Sequence, residues 1–272
     1  MLPPSAVSLA PAEGLPPWPD PEIGHWVSLP PREEGQAALV SWLALPPESP
    51  PRAGLLVLPE VFGVNAWLRS VAGRLALAGY AALAVPLFSR TAPRLDLGYD
   101  QAALQEGRSH KERTTAAGLL ADLSLAADWL AQSLPPLPGG LGCVGFCFGG
   151  HVAMLAASLP RVRASCNFYG AGVATGRPGG GPPTLEGVPA IEGRLLCVCG
   201  REDALLPAED RAAIDRALHT ANQGRAPERS HRLLTLEEAG HGFLCEARDD
   251  FHPAAAAVGW QEMLTFLAES LG

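Results

Sequence analysis

The sequence has little lysine and no hydrophobic run long enough to cross a membrane. Lys111 is the single lysine among 20 basic residues, a bias that we attribute to genome composition and to which we give no functional meaning. A membrane-spanning helix needs about 18 consecutive apolar residues, and no such run occurs. The formal net charge of -8 would repel phosphate groups. We therefore expect neither nucleic acid nor a membrane as a partner.

The N-terminus lacks the basic start and unbroken apolar core of a secretory leader. Residues 1–24 are rich in proline and show little periodicity. They predict an N-terminal extension that is extended or partly disordered, unless Trp18 and Trp26 pin it onto the domain. Residues 25–272 are predicted to form one domain. Without export the chain is expected in the cytoplasm, where its six cysteines stay reduced.

Signatures of cofactors and metals are also missing. The first strand-to-helix turn carries neither a glycine-rich phosphate loop nor a dinucleotide fingerprint. Several cysteines could in principle form a metal cluster, but Cys197 and Cys199 have the wrong spacing for a zinc knuckle. Cysteine is also commonly a small buried hydrophobic residue. We predict no cofactor and no metal.

Short apolar runs alternate with helical patterns from residue 37 onward. Most of the runs are apolar throughout, which is typical of strands covered on both faces. The alternation predicts an α/β fold with a doubly wound, mostly parallel sheet and helices on both faces. Ligands bind beyond the carboxyl ends of the strands in such sheets. The predicted strands cover residues 37–45, 54–58, 81–85, 141–147, 164–169, 195–199 and 233–236, and the predicted helices cover residues 67–78, 116–133, 150–159, 208–221 and 254–271.

A candidate nucleophile lies between one predicted strand and the next helix. The segment GFCFG, residues 145–149, follows the G-x-nucleophile-x-G pattern of a strand-to-helix elbow, with Cys147 in place of serine. Small flanking residues are needed there because the backbone and the helix crowd together. The start of the following helix lowers the pKa of a thiol and favours the thiolate. The pattern alone is a weak signal, and the strand before it and the helix after it strengthen it.

The partners of such a nucleophile are expected in the chain order nucleophile, acid, histidine. Asp203 follows the strand at 195–199 and suits a turn better than its neighbour Glu202, because its side chain is shorter. His241 lies between glycines in the loop after the last strand, where an imidazole can reach the nucleophile. His151, four residues after Cys147, is the competing histidine. We expect it to pack at the helix surface rather than to catalyse.

Six segments in order resemble the dienelactone hydrolase (carboxymethylenebutenolidase) family of the α/β-hydrolase superfamily. The resemblance runs from about residue 37 to the C-terminus and is far more specific than the elbow alone. It implies an α/β-hydrolase fold. The segments are PEVFGVN (59–65), PLFSR (86–90), GFCFGG (145–150), NFYG (167–170), GRED (200–203) and AGHGF (239–243).

The resemblance assigns catalytic roles to four side chains. Cys147, His241 and Asp203 match the catalytic triad of the family. Glu60 matches a glutamate that interacts with the resting thiol and helps to generate the thiolate when substrate binds. The residue pattern alone would leave Glu60 as a surface charge after a strand.

The resemblance also assigns the groups that bind substrate. The backbone N–H groups of Phe148 and Val61 match the oxyanion hole. Arg90 matches an arginine that binds the substrate carboxylate. The sequence departs from the family at Cys245, where a second carboxylate-binding arginine is familiar, and at Gly242, where a serine is familiar. Arg248 is near the first of these positions but out of register, so dienelactone itself is in doubt as the substrate.

The expected function is hydrolysis of a small ester or lactone through an acyl-thioester intermediate, by a monomer or small homo-oligomer. A thiolate handles good leaving groups well, which suits enol-lactones and activated esters better than amides. One alternative is a general carboxylesterase or thioesterase acting on another small acyl substrate. The other is a non-hydrolytic protein that uses Cys147 as a ligand-binding or redox-sensing thiol.

Overall fold

The computed structural model describes residues 14–19, 23–31 and 38–272, and an eight-stranded sheet forms its centre. All seven predicted strands are present, although residue 37, the predicted start of the first, lies outside the described residues. One further strand, β1, was not predicted. The strands are β1 (Gly24–Leu29), β2 (Leu39–Ala44), β3 (Ala53–Leu58), β4 (Tyr80–Ala84), β5 (Leu141–Phe146), β6 (Val162–Phe168), β7 (Arg194–Gly200) and β8 (Arg232–Leu236).

The strand order of the sheet is β1-β2-β4-β3-β5-β6-β7-β8. β1 and β2 are antiparallel to their neighbours, and β3 to β8 run parallel. The chain leaves β3 toward β4 on one side, whereas β5 lies on the other side of β3. This change of direction opens a crevice beyond the carboxyl ends of β3 and β5, where open α/β sheets bind ligands. The predicted doubly wound, mostly parallel sheet is confirmed.

Six α-helices accompany the sheet in the described part of the chain. The five predicted helices are present, and the helix after the elbow begins at Phe148, two residues earlier than predicted. The helix over residues 101–111 was not predicted. The helices are α1 (Ala66–Leu77), α2 (Gln101–Lys111), α3 (Ala116–Ser133), α4 (Phe148–Ala156), α5 (Ala208–Ala221) and α6 (Pro253–Leu271). None of them is long and apolar enough to cross a membrane.

The central strand β3 shows why its sequence is apolar throughout. All six of its residues are buried, and successive side chains enter different cores because strand side chains alternate between the two faces. Leu55 and Val57 pack in a core with residues of α1 and α6, whereas Leu56 and Leu58 pack in another with residues of α3 and α4. Burying such a side chain fully contributes roughly 1.5–3 kcal/mol. Both faces therefore hold β3 rigidly beneath the crevice.

Part of the predicted N-terminal extension lies against the domain. Residues 14–19 pass over α1, where the Arg74 side chain donates a 3.4 Å hydrogen bond to the carbonyl of Pro17. Trp26, now part of β1, packs edge-on against Trp42 with ring centroids 5.4 Å apart. Trp18 stays half exposed. Residues 1–13 and 20–22 of the predicted extension lie outside the described residues.

Candidate active site

Cys147 lies in a strained turn between β5 and α4. Its backbone has φ 53° and ψ −117°, a conformation that side-chain-bearing residues rarely adopt. The turn is tight because Gly145 lies against the first turn of α4. A Cβ atom on Gly145 would lie 1.9 Å from the carbonyl oxygen of Gly149. The sharp strand–turn–helix geometry predicted from the glycine pattern is therefore present, and the thiol lies at the crevice.

Asp203 and His241 meet beyond the ends of the neighbouring strands β7 and β8. His241 Nδ1 donates a 2.9 Å hydrogen bond to Asp203 Oδ2. The other carboxylate oxygen accepts a 2.8 Å hydrogen bond from the backbone N–H of Leu205. This local bond requires a short side chain in the turn, which was the reason for preferring Asp203. Its rival Glu202 is exposed to solvent.

The surroundings of His241 favour its protonated form. Burial alone lowers the pKa of this histidine, but the nearby Cys147 thiolate and the Asp203 carboxylate raise it more, so that the net pKa lies well above the usual histidine value. Nε2 of His241 is buried and has no hydrogen bond of ordinary geometry to the described residues. The ring packs edge-on against Tyr169, with centroids 5.3 Å apart. His241 can therefore carry a positive charge beside Cys147.

Glu60 is buried directly after β3, and its partner is Arg248. Arg248 donates a 2.9 Å hydrogen bond to Glu60 Oε1, whereas Oε2 is buried with no hydrogen-bond partner among the described residues. Burial raises the pKa of Glu60, and the charges of Arg248 and His241 oppose this effect. The structure therefore brings Glu60 to the crevice, where it forms an ion pair with Arg248 rather than a hydrogen bond with the Cys147 thiol.

Gly242 makes room for Arg248. The backbone φ of Gly242 is 82°, a conformation that favours glycine, and a Cβ atom there would lie 2.8 Å from the guanidinium carbon of Arg248. Cys245, at the familiar arginine position, is fully buried. The two departures from the family pattern are thus linked in space. The glycine directly after His241 allows an arginine three residues beyond Cys245 to reach Glu60.

The thiol of Cys147 opens into a cavity of about 390 Å³. Its wall includes both residues whose backbone N–H groups were assigned to an oxyanion hole. Neither N–H donates a hydrogen bond to another backbone group of the described chain. The residues lining the cavity are Val61, Phe62, Leu104, Arg108, Lys111, Cys147, Phe148, Ala171, Gly172, Leu205, His241 and Arg248.

Arg90 does not line this cavity. Its guanidinium forms two hydrogen bonds with the Asp122 carboxylate on α3, at 2.6 and 2.8 Å, and lies beside a separate cavity of about 130 Å³. The cations beside Cys147 come instead from Arg248 and from α2, which supplies Arg108 and Lys111. The spacing of Arg108 and Lys111 could have indicated that they lie together, because residues three apart share one face of a helix. We missed it because α2 itself was not predicted.

His151 is buried rather than at the helix surface, which corrects the expectation for its position. Its Nδ1 lies 3.0 Å from the carbonyl oxygen of Ala171 and therefore carries the proton. Nε2 accepts a 2.7 Å hydrogen bond from the Thr184 hydroxyl. Burial, together with the charges of Lys111 and Arg177, lowers the pKa of His151 to about 4, although the hydrogen bond to the Ala171 carbonyl opposes this effect. Both nitrogens of this neutral ring are occupied in holding the loop at 171–184.

The remaining cysteines are buried free thiols in strands or beneath the crevice. Burial raises the pKa of each of them, so they stay protonated at neutral pH. No group of three or more histidine, cysteine or acidic residues in the described part of the chain is arranged to hold a metal ion. The five buried cysteines are Cys143, Cys166, Cys197, Cys199 and Cys245.

Comparison with known proteins gives a consistent family. The sequence profile of the "Dienelactone hydrolase family" matches residues 40–271. A relative from Synechocystis sp., named "Putative carboxymethylenebutenolidase", is 38% identical over 210 residues, which are 77% of this chain and 82% of the relative. The "Carboxymethylenebutenolidase" of Pseudomonas putida is 30% identical over 224 residues, 82% of this chain and 88% of that protein.

A solved structure agrees with the sequence relatives. The crystal structure of a "Putative Dienelactone Hydrolase" from Klebsiella pneumoniae has a TM-score of 0.77 and 27% sequence identity, and the match covers 90% of this chain and 98% of that chain. The predicted resemblance and the α/β-hydrolase fold are both confirmed. The chain therefore belongs to the dienelactone hydrolase family of the α/β-hydrolase superfamily, and it is a hydrolase of ester or lactone bonds.

Proposed function

We propose that the protein hydrolyses a small ester or lactone through a Cys147–His241–Asp203 triad and an acyl-thioester intermediate. The observation that carries this proposal is the elbow: Cys147 is held in a strained conformation at the wall of the same cavity as His241, and His241 is hydrogen-bonded at 2.9 Å to Asp203. Backbone strain at a cavity-lining thiol is difficult to explain by packing alone.

Acylation begins from the thiolate–imidazolium pair. The Sγ atom of Cys147 attacks the substrate carbonyl, and the carbonyl electron pair moves onto its oxygen. The N–H groups of Phe148 and Val61 then stabilise this oxyanion, a contact worth roughly 2.7–4 kcal/mol per donor in a preorganised site. As the carbon–oxygen bond of the ester breaks, Nε2 of His241 gives its proton to the leaving alkoxide or enolate. The product of this half-reaction is a thioester on Cys147 and a neutral imidazole.

Deacylation uses the same groups in reverse. Neutral His241 takes a proton from water, and the resulting hydroxide attacks the thioester carbonyl. Collapse of the second tetrahedral intermediate expels the Cys147 thiolate beside the imidazolium already formed, which restores the starting pair, and the released carboxylic acid gives its proton to solvent. Asp203 keeps the proton on Nδ1 and stabilises the charged ring throughout the cycle. Because the nucleophile is a thiol, we infer that the protein works in a reducing compartment such as the cytoplasm.

The position of Arg90 favours a second candidate within the same enzyme class, a carboxylesterase or thioesterase for a different small acyl substrate. Arg90 is paired with Asp122 outside the cavity, and Cys245 replaces the other arginine that a dienelactone carboxylate would meet. A non-hydrolytic thiol sensor is not proposed, because the chain belongs to a hydrolase family.

The proposal is tested by comparing hydrolysis of a neutral aryl acetate and a carboxylated dienelactone by the wild type, Cys147→Ala and Arg90→Ala. Loss of turnover on both substrates in Cys147→Ala supports the triad, whereas full activity of this variant contradicts it. The ratio of the two substrates in the wild type separates the two candidates. A dienelactonase would prefer the lactone, and Arg90→Ala would raise its KM selectively.

A further inference from the structure

A second chamber of about 320 Å³ adjoins the catalytic cavity. The two spaces share four wall residues: Lys111, Phe148, Ala171 and Gly172. The far wall of the chamber is formed by residues 175–179, the beginning of the glycine- and proline-rich stretch 176–183, and His151 lies at its base. A substrate attached at Cys147 can therefore extend past the Phe148 side chain into this space.

Hydrogen bonds hold the walls of the chamber in place. His151 bonds to both ends of the loop, through the Ala171 carbonyl and the Thr184 hydroxyl. The N–H of Ala116, at the start of α3, donates a 2.8 Å hydrogen bond to the carbonyl of Pro178. Gly176 bonds back to Gly172 at 2.9 Å. The chamber is thus shaped before substrate arrives, which reduces the ordering cost of binding.

Positively charged side chains outnumber negatively charged ones in the lining of the chamber. Lys111 and Arg177 both line it, and neither forms an ion pair within 4.0 Å in the described part of the chain. Glu112 is the one acidic residue of the lining, and it is exposed, as is Lys111. His151 adds no charge because its ring is neutral. The lining therefore presents two cations against one carboxylate.

The acyl part of a substrate is the part that points toward this chamber. In the proposed mechanism the leaving group must face His241, which lines the catalytic cavity but not the chamber. The oxyanion faces the N–H of Phe148, whose side chain forms the shared wall. The acyl chain, directed away from His241, then runs along Phe148 toward Lys111 and Arg177.

We propose that the chamber is a subsite for a terminal carboxylate on the acyl chain, bound between Lys111 and Arg177. The preferred substrates are then monoesters of dicarboxylic acids. This inference rests on the proposed thioester mechanism and names the substrate class of the same site. Arg177 and Lys111 are specificity-determining residues that contact the end of the substrate distant from the reacting bonds.

The test compares two 4-nitrophenyl esters of equal acyl length, the adipate monoester and the neutral hexanoate ester. Arg177→Gln should lower kcat/KM for the adipate ester roughly ten- to hundredfold, the loss of one charge-assisted hydrogen bond, mainly through KM. It should leave the hexanoate ester within about twofold. Lys111→Gln should act in the same direction, and Arg216→Gln, an exposed charge-matched change on α5, should alter neither ester.

The outcomes distinguish failure of the carboxylate subsite from failure of the proposed mechanism. If Arg177→Gln and Lys111→Gln leave the ratio of the two esters unchanged while Cys147→Ala abolishes hydrolysis, the subsite is refuted and the mechanism stands. If both esters lose the same fraction of activity, the role of Arg177 is structural rather than specific, and the subsite is again refuted. If Cys147→Ala still hydrolyses both esters, the proposed function itself is wrong.

Discussion

Replacing Arg248 with glutamine should destabilise the protein in a manner that depends on pH. The side chain of Glu60 is 2% exposed, and Arg248 is its one hydrogen-bond partner among the described residues. Removing one member of a buried ion pair costs roughly 3–5 kcal/mol when the other stays charged. Asp250, the second partner of Arg248, is about half exposed, so losing that contact contributes little.

Glu60 can escape most of this cost by taking up a proton. Burial already raises its pKa in the folded wild type, and removal of the Arg248 charge raises it further. A carboxyl group whose pKa is higher in the folded state than in the unfolded state stabilises the folded protein fully at pH values below its unfolded pKa. This contribution to the free energy of unfolding is lost as pH rises through its folded pKa. The difference between the variant and the wild type should therefore be small at low pH and should widen as pH increases.

The magnitude follows from proton linkage. Below the folded pKa of Glu60 in the wild type, where the carboxyl group is protonated in both folded proteins, the loss should be about 1 kcal/mol for the missing hydrogen bond. Above the folded pKa in the wild type the difference should grow by about 1.4 kcal/mol per pH unit. It should level off at roughly 3–5 kcal/mol, when the carboxylate of the variant ionises as well.

Urea unfolding of Arg248→Gln and the wild type at several pH values between 5 and 8 measures this difference. The double variant Glu60→Gln with Arg248→Gln is the matched control, because it lacks the carboxyl group at position 60. The difference in unfolding free energy between this double variant and the wild type should not grow as pH increases. An equal destabilisation of the single variant at pH 5 and pH 8 would refute the view that Glu60 depends on Arg248 for its charge.

Two further changes test the surroundings of His241. Asp203→Asn removes a carboxylate that raises the pKa of His241. The alkaline limb of the kcat/KM profile, which reports loss of the imidazolium proton, should therefore move to lower pH, and kcat should fall. An alkaline limb at the wild-type pH would contradict this prediction. Gly242→Ala places a side chain at φ 82° and 2.8 Å from the Arg248 guanidinium, so thermal unfolding should show a loss of at least about 1–2 kcal/mol. Unchanged stability would contradict the claim that this backbone conformation requires glycine.

The sequence predicted the sheet and the chemistry of the elbow because local patterns determine both. Short, continuously apolar runs such as 54–58 are typical of strands buried on both faces, and the glycines around Cys147 predict the tight turn. The order of Cys147, Asp203 and His241 along the chain placed all three at the carboxyl edge of a parallel sheet. These predictions required no knowledge of which distant residues come into contact.

The elements that were missed lack such local patterns. α2, with the sequence QAALQEGRSHK, has only three buried residues and no apolar stripe. β1 is an edge strand that is largely exposed. The partner of Arg90 lies 32 residues away on α3, and Arg248 reaches Glu60 across 188 residues. Such pairings depend on tertiary packing, so motif matching placed Arg90 at the substrate and could not assign Arg248.

Covalent catalysis by Cys147 can be observed by intact-protein mass spectrometry shortly after mixing with an activated ester. We expect a transient mass increase equal to one acyl group, located on the peptide that contains Cys147 and absent in Cys147→Ala. Hydrolysis by the wild type with no acyl adduct at any time, or with the adduct on another residue, would contradict it.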